Sequence, residues 1–204
     1  MTKLQWFFDY ISPFSYLQWA HQLTRLEDVD LELKPVLFAG LLKHWGHKGP
    51  AEIPAKRRFT YRYVVWLAEK LDVPLRIPRA HPFNPLPLLR LSIARGNDPR
   101  VVDRLFRFAW REGHIPSDQV AWRELMSELD VTEDELKDPL VKKALLDNGE
   151  QAIEKGVFGV PSAVVDGELF WGVDGFEFLL DYLADPRVVA TQAMQSADNL
   201  PSDV

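Results

Sequence analysis

The 204-residue chain carries 24 Lys and Arg against 30 Asp and Glu, a net charge of −6, and 47% of its residues are hydrophobic. That size suits one domain, or one domain with a large insertion, and the apolar content can fill a sizeable core. The acidic balance argues against a nucleic-acid surface, no apolar run approaches a membrane span, and the absence of cysteine excludes disulfides, thiolate metal sites and a cysteine nucleophile.

The N-terminus, MTKLQWFFDY, reaches its aspartate too early for the apolar core of a secretion signal, so a cytoplasmic location is expected. Residues 3–9 read as a short buried strand rich in aromatics. Ser12 then offers an N-cap hydroxyl and Pro13 suits the first helical position, where its missing N–H costs nothing. A helix follows to about Glu27, with Phe14, Leu17, Leu23 and Leu26 as its inner face, and 31–37 alternates like a second strand. Strand, helix, strand in so short a span is a βαβ unit, which implies parallel strands.

A long helix is expected over 54–72, opened by Pro54 and turning Phe59, Tyr63, Trp66, Leu67 and Leu71 inward. Its start, KRRFTYRYVVW, holds four cations in seven residues, which on a helical pattern reads as a solvated face. The proline-rich stretch 73–87 excludes regular helix, and Asn84-Pro85 looks like the start of the next helix, to about Arg95. Further helices are expected at 98–112, 118–129, 132–136 and 139–155, with Thr132 and Glu135 forming a capping box.

Strand patterning returns at 162–172, two apolar runs around Asp166-Gly167, a strong hairpin signal. A last helix is expected from about Asp174 to Ala184. The order βαβ, helices, ββα gives an α/β, thioredoxin-like fold: a mixed four-stranded sheet with an all-helical insertion. The core is assigned to 1–40 and 156–186 and the insertion to 41–155, while 187–204 loses periodicity and reads as a disordered tail. That sheet brings the Val160-Pro161 corner beside the Ser12 corner. A cis bond at Pro161 would leave the Val160 backbone groups open to an extended ligand.

FFDYISPFSYL, GPAEIPAKR, HPFNPLPLLRL and GVPSAVVDGELFWGVD together resemble the 2-hydroxychromene-2-carboxylate isomerase family over residues 3–185. That family has the DsbA-like form of the thioredoxin fold and is related to the kappa-class glutathione transferases. The resemblance implies glutathione as the bound thiol, with its sulfur beside Ser12, and a homodimer. It also implies strand-like pairing of the tripeptide with the Val160-Pro161 backbone and an acidic contact to its amine from Asp174. Asp174 equally suits the N-cap of the last helix, just as Ser12 can be a cap alone. The family usually has arginine where Gly175 stands and asparagine where His47 stands, so Lys56 and Arg57 are candidate substitutes for holding carboxylates.

His81 and Asn84 either line a substrate cleft or cap loops. Phe14, Trp66, Phe83 and Trp171 either stack on an aromatic substrate or fill the core. The spacing of His44, His47, His81 and His114 fits no zinc pattern, so no metal is expected. The reaction the resemblance implies is glutathione-dependent isomerisation of 2-hydroxychromene-2-carboxylate to trans-o-hydroxybenzylidenepyruvate, in aromatic catabolism. Its rivals are a kappa-like glutathione transferase acting on another electrophile and a non-catalytic thioredoxin-fold binding module.

Overall fold

The computed structural model describes residues 1–200. Strand β1 (Thr2–Phe8) runs through the middle of a four-stranded sheet ordered β2-β1-β3-β4. It pairs in parallel with β2 (Val29–Pro35), setting Trp6 opposite Leu33, and antiparallel with β3 (Ser162–Val165), setting Leu4 opposite Val165. β4 (Glu168–Trp171) completes the hairpin with β3. Asp166 and Gly167 both take positive φ, 51° and 94°, which is the twist a two-residue hairpin loop requires.

Successive side chains of a strand face opposite ways, and β1 buries both faces. Leu4, Trp6 and Phe8 enter a large core that also holds Leu88, Phe106, Trp110 and Leu125 of the helical block. Phe7 enters a smaller one with Val36, Leu41, Val160 and Val164. Each such side chain stabilises by about 1.5–3 kcal/mol through burial. The helices between β2 and β3 therefore share one core with the sheet.

Helix α1 (Pro13–Leu17) continues as a π turn, Gln18–Gln22, and a 3-10 turn, Leu23–Arg25. Buried amides fix this run. Trp6 Nε1 donates to Gln18 Oε1 at 2.6 Å, while Gln18 and Gln22 donate to the carbonyls of Gly172 and Val173 at 3.0 and 2.9 Å. The first helix is thus tied to the loop after β4.

Between the two strand pairs lie α2 (Phe38–His44), α3 (Pro54–Lys70), α4 (Leu86–Ala94), α5 (Pro99–Phe106), α6 (Gln119–Glu128), α7 (Glu133–Lys137) and α8 (Pro139–Glu154). α5 is extended by a π turn, Arg107–Arg111. The capping box forms as the sequence indicates: Thr132 Oγ1 accepts from Glu135 N–H, and Glu135 accepts from Thr132 N–H. After β4 come α9 (Phe176–Ala184) and α10 (Gln192–Asp198).

Three expectations are corrected. The buried residues of α3 are Val64, Leu67 and Ala68, whereas Phe59 and Trp66 are 68% and 50% exposed. Leu67 was expected inward and is buried, but bulk favoured Phe59 and Trp66 over the smaller Val64 and Ala68. The segment from 187 on is not without structure: a 3-10 turn, Pro186–Ala190, and α10 follow, with Asp185 and Thr191 capping them. Short caps override the missing apolar period there; residues 201–204 lie outside the described range. Finally, α9 is capped by Gly175, not Asp174.

Candidate active site at the β1–α1 corner

Beyond Phe8 the chain turns sharply, and hydrogen bonds hold the backbone of the turn. Ser12 N–H donates to the Asp9 carbonyl at 3.0 Å. The fully buried Asp9 carboxylate accepts from Ile11 N–H at 3.0 Å and from Phe38 N–H at 2.9 Å. Trp110 Nε1 donates to the Tyr10 carbonyl at 2.7 Å, and His81 Nε2 to that of Ile11 at 2.7 Å. Backbone groups out of reach of water need such partners.

Asp9 also serves as the missing cap of α2, whose own Leu37 has no capping side chain. Burial pushes the Asp9 carboxyl up to about 7, against the opposing pull of the N–H groups of Ile11, Phe38 and Tyr10. Its charge state therefore changes near neutral pH, beside the Ser12 turn.

Ser12 is the N-cap of α1: its Oγ accepts from Ser15 N–H at 3.2 Å. The same hydroxyl points its proton at the Val160 carbonyl, 3.4 Å away. That bond is long, so the proton is readily redirected to a better acceptor. The Val160-Pro161 peptide is cis, and the Pro161 carbonyl accepts from Gly172 N–H at 2.8 Å. Cap and pocket wall are thus one residue.

These groups open into a cavity of about 880 Å³ with mostly apolar walls. Pro13 and Phe14 of α1, Phe38 and Leu42 of α2, and Phe158, Gly159 and Trp171 form its apolar surface. His47, Lys48, Lys56 and Arg57 supply positive or ionisable groups, and Lys48 and Lys56 are exposed. The Trp171 indole crosses Gly159 so closely that a Cβ there would lie 2.6 Å from Nε1.

His81 lies in the cavity wall and is joined to Pro82 by a cis peptide bond. Burial lowers its pKa, the bond to Ile11 opposes this, and the nearby Arg57 charge lowers it further. A carbonyl can only accept, so Nε2 bears the proton, and the neutral ring's Nδ1 accepts from Tyr61 O–H at 2.7 Å. Arg57 donates to the His81 carbonyl at 3.1 Å. The imidazole thus positions the turn that carries Ser12.

The structure brings Ser12, Val160, Phe14, His47, Lys56, Arg57, His81, Phe83 and Trp171 to one cavity. Pro161 stands directly behind Val160. Asn84 and Asp174 are not in the cavity wall, nor is Trp66. Asn84 Oδ1 caps the start of α4 by accepting from Leu86 N–H at 3.1 Å, so the loop-capping alternative holds. Asp174 is exposed and accepts from Tyr63 O–H at 3.3 Å.

Sequence reasoning missed Asp9, Tyr61, Trp110 and Lys48. An aspartate ending a strand two residues before a turn N–H was a readable sign of an Asx turn. Trp110 carried no such sign.

A family model described as DSBA-like thioredoxin domain matches residues 3–184. A 2-hydroxychromene-2-carboxylate isomerase of Sphingobium xenophagum is 31% identical over 196 residues, covering 91% of this chain and 100% of its own. Glutathione S-transferase kappa 2 of Caenorhabditis elegans is 28% identical over 210 residues, covering 90% of this chain and 92% of its own. The solved structure of selenomethionine 2-hydroxychromene-2-carboxylate isomerase has the same fold, with a TM-score of 0.76 at 21% identity, covering 98% of this chain and 100% of that one. With the sheet order, the Ser12 corner and a match along nearly the whole length, this chain belongs to the DSBA-like thioredoxin family and, within it, to the 2-hydroxychromene-2-carboxylate isomerase family.

Proposed function

We propose that this protein is a glutathione-dependent isomerase acting on a carboxylated aromatic enone of the 2-hydroxychromene-2-carboxylate type. The observation that carries the proposal is the Ser12 hydroxyl, which caps a helix, faces the carbonyl of a cis Val160-Pro161 bond and lines a large apolar cavity.

The residues present fit a thiol tripeptide. The site has no sulfur of its own, and a cavity of about 880 Å³ has room for such a peptide beside a second small molecule. Val160 would hold the peptide by backbone pairing, as an added strand is held. Lys48, Lys56 and Arg57, which line the cavity, would receive carboxylates. Bound there, glutathione would supply a thiolate that adds reversibly to a conjugated double bond, allows rotation and leaves again.

Ser12 would act by turning its proton from Val160 to the sulfur. A hydrogen bond to a charged group stabilises by about 1.5–3 kcal/mol. The positive end of the helical run from Pro13 to Arg25 favours the same charge. Phe14, Phe83 and Trp171 would hold the aromatic part of the substrate and keep water from it. Asp9, His81 and Trp110 keep the turn rigid.

Absorbance assays with glutathione and the enone test this reading. Isomer should accumulate with no glutathione consumed, and Ser12→Ala should slow it roughly ten- to a hundredfold. Steady loss of free thiol with a stable conjugate would instead assign a transferase, the activity in the name of the kappa relative.

A further inference from the structure

Two side chains of the cavity wall, Tyr61 and His81, carry chemistry that the thiol step does not use. The Tyr61 hydroxyl lies 2.7 Å from His81 Nδ1, and His81 Nε2 lies 2.7 Å from the Ile11 carbonyl. That carbonyl can only accept, so the protons of this chain all point one way, from Tyr61 to Nδ1 and from Nε2 to Ile11. The second acceptor of the hydroxyl is the His81 carbonyl, at 3.1 Å. Tyr61 thus directs its proton at His81 and keeps its oxygen lone pairs, and among the described residues no side chain donates to that oxygen. An oxygen in this state on a cavity wall calls for a ligand with a hydroxyl to donate.

Arg57 supplies the other half of the match. It lies four residues before Tyr61, one turn away on the same face of α3, and both line the cavity. Its guanidinium carbon stands 5.4 Å from the centre of the Tyr61 ring, and it donates to the His81 carbonyl at 3.1 Å. A cation and a proton acceptor held side by side fit a carboxylate and a hydroxyl borne on one carbon. A 2-hydroxychromene-2-carboxylate carries both on C2, and the same carbon bears the ring oxygen.

We infer that Tyr61, backed by His81, is the acid–base residue that opens the hemiketal ring of such a substrate before any thiol adds, an assignment that takes its substrate from the isomerase reading. The C2 hydroxyl gives its proton to Tyr61 Oη as the phenol passes its own to His81 Nδ1. The O–H electron pair forms the C2 carbonyl, the bond from C2 to the ring oxygen breaks, and its pair stays on that oxygen. The ring oxygen then takes a proton from Tyr61, and His81 returns one to Tyr61. No proton is gained or lost, and the open enone is left for the thiolate. Burial and, after the opposing bond to Ile11, the Arg57 charge keep the imidazole neutral beforehand, so Nδ1 has a lone pair for the proton.

Ring opening is measured apart from isomerisation by saturating the protein with S-methylglutathione, which has no thiol to add. After a pH jump, stopped-flow absorbance follows 2-hydroxychromene-2-carboxylate to equilibrium with its open cis enone. The parent should reach equilibrium much faster than buffer alone, and Tyr61→Phe should lower this acceleration about a hundredfold. His81→Gln can hold hydrogen bonds but cannot take a proton. It should lower the maximal rate at least about tenfold and leave the half-saturating substrate concentration within about twofold. Both variants should keep the parent's circular dichroism spectrum, and Tyr61→Phe, which removes one oxygen, decides alone where His81→Gln loosens the turn. A parent no faster than buffer would overturn the inference, as would Tyr61→Phe matching the parent or a folded His81→Gln altered only in its half-saturating concentration. A parent that opens the ring yet forms no trans isomer with glutathione would support the relay and overturn the isomerase reading alone.

Discussion

Asp9 is the residue whose chemistry reaches furthest from its place in the sequence. Its carboxyl is raised from the ordinary 3.8 to about 7, first by burial, with the surrounding N–H groups pulling the other way. Between those values the folded protein holds a proton that the unfolded chain has released. The stabilisation from that proton is complete below about pH 4 and is lost as pH rises through about 7. Chemical denaturation of the parent and Asp9→Asn from pH 5 to 8 checks this. Relative to the variant, the parent should lose up to about 1.4 kcal/mol per pH unit as pH approaches 7. Parallel curves for the two proteins would show that Asp9 is not the titrating group.

Two glycines pack against Trp171, Gly175 in the loop between β4 and α9 and Gly159 ahead of β3, and they separate packing from function at the level of elements. A Cβ at Gly175 would lie 2.5 Å from the Trp171 carbonyl, a backbone atom with nowhere to go. Gly175→Ala should therefore destabilise by about 1–3 kcal/mol, read as a lower thermal midpoint. A Cβ at Gly159 meets only the edge of the half-exposed Trp171 indole, 2.6 Å away. Gly159→Ala should leave the midpoint almost unchanged but raise KM for the substrate, because the ring moves from the cavity wall. Equal midpoints for the two variants would contradict this division.

Element by element, the sequence shows faces more readily than partners. The caps at Ser12 and Thr132, the Asp166-Gly167 turn and the βαβ order were legible because each is a local signal with one physical solution. Helix α3 was legible as a helix and Leu67 as part of its inner face, but Val64 and Ala68 are too small to outbid Phe59 and Trp66 by eye. Asp174 looked like a cap because it precedes an apolar run, yet the backbone closes one residue later on Gly175.

At the scale of the whole molecule, the juxtaposition of Ser12 with Val160-Pro161 was readable across 148 residues. Strand order forces it once β1 and β3 are neighbours. Trp110 and Tyr61 were not readable, since nothing in a helical pattern says which loop a distant indole or phenol will grip. A site assembled in this way should bind its ligand as a unit of the fold. At 100 times its dissociation constant, a ligand of the native state adds about 2.7 kcal/mol. Reduced glutathione should therefore raise the thermal midpoint by several degrees, and its disulfide by less. No shift would favour a binding module that has lost this ligand.

The central claim is that Ser12 stabilises the thiolate of bound glutathione. Titrating the ultraviolet thiolate absorbance of the saturated complex against pH, in the parent protein and in Ser12→Ala, tests it most directly. The bound thiol should ionise well below the ordinary value of about 8.5, and Ser12→Ala should move that ionisation back up by about one to two pH units. The same titration curve in both proteins, or a bound thiol that ionises like a free one, would contradict the claim.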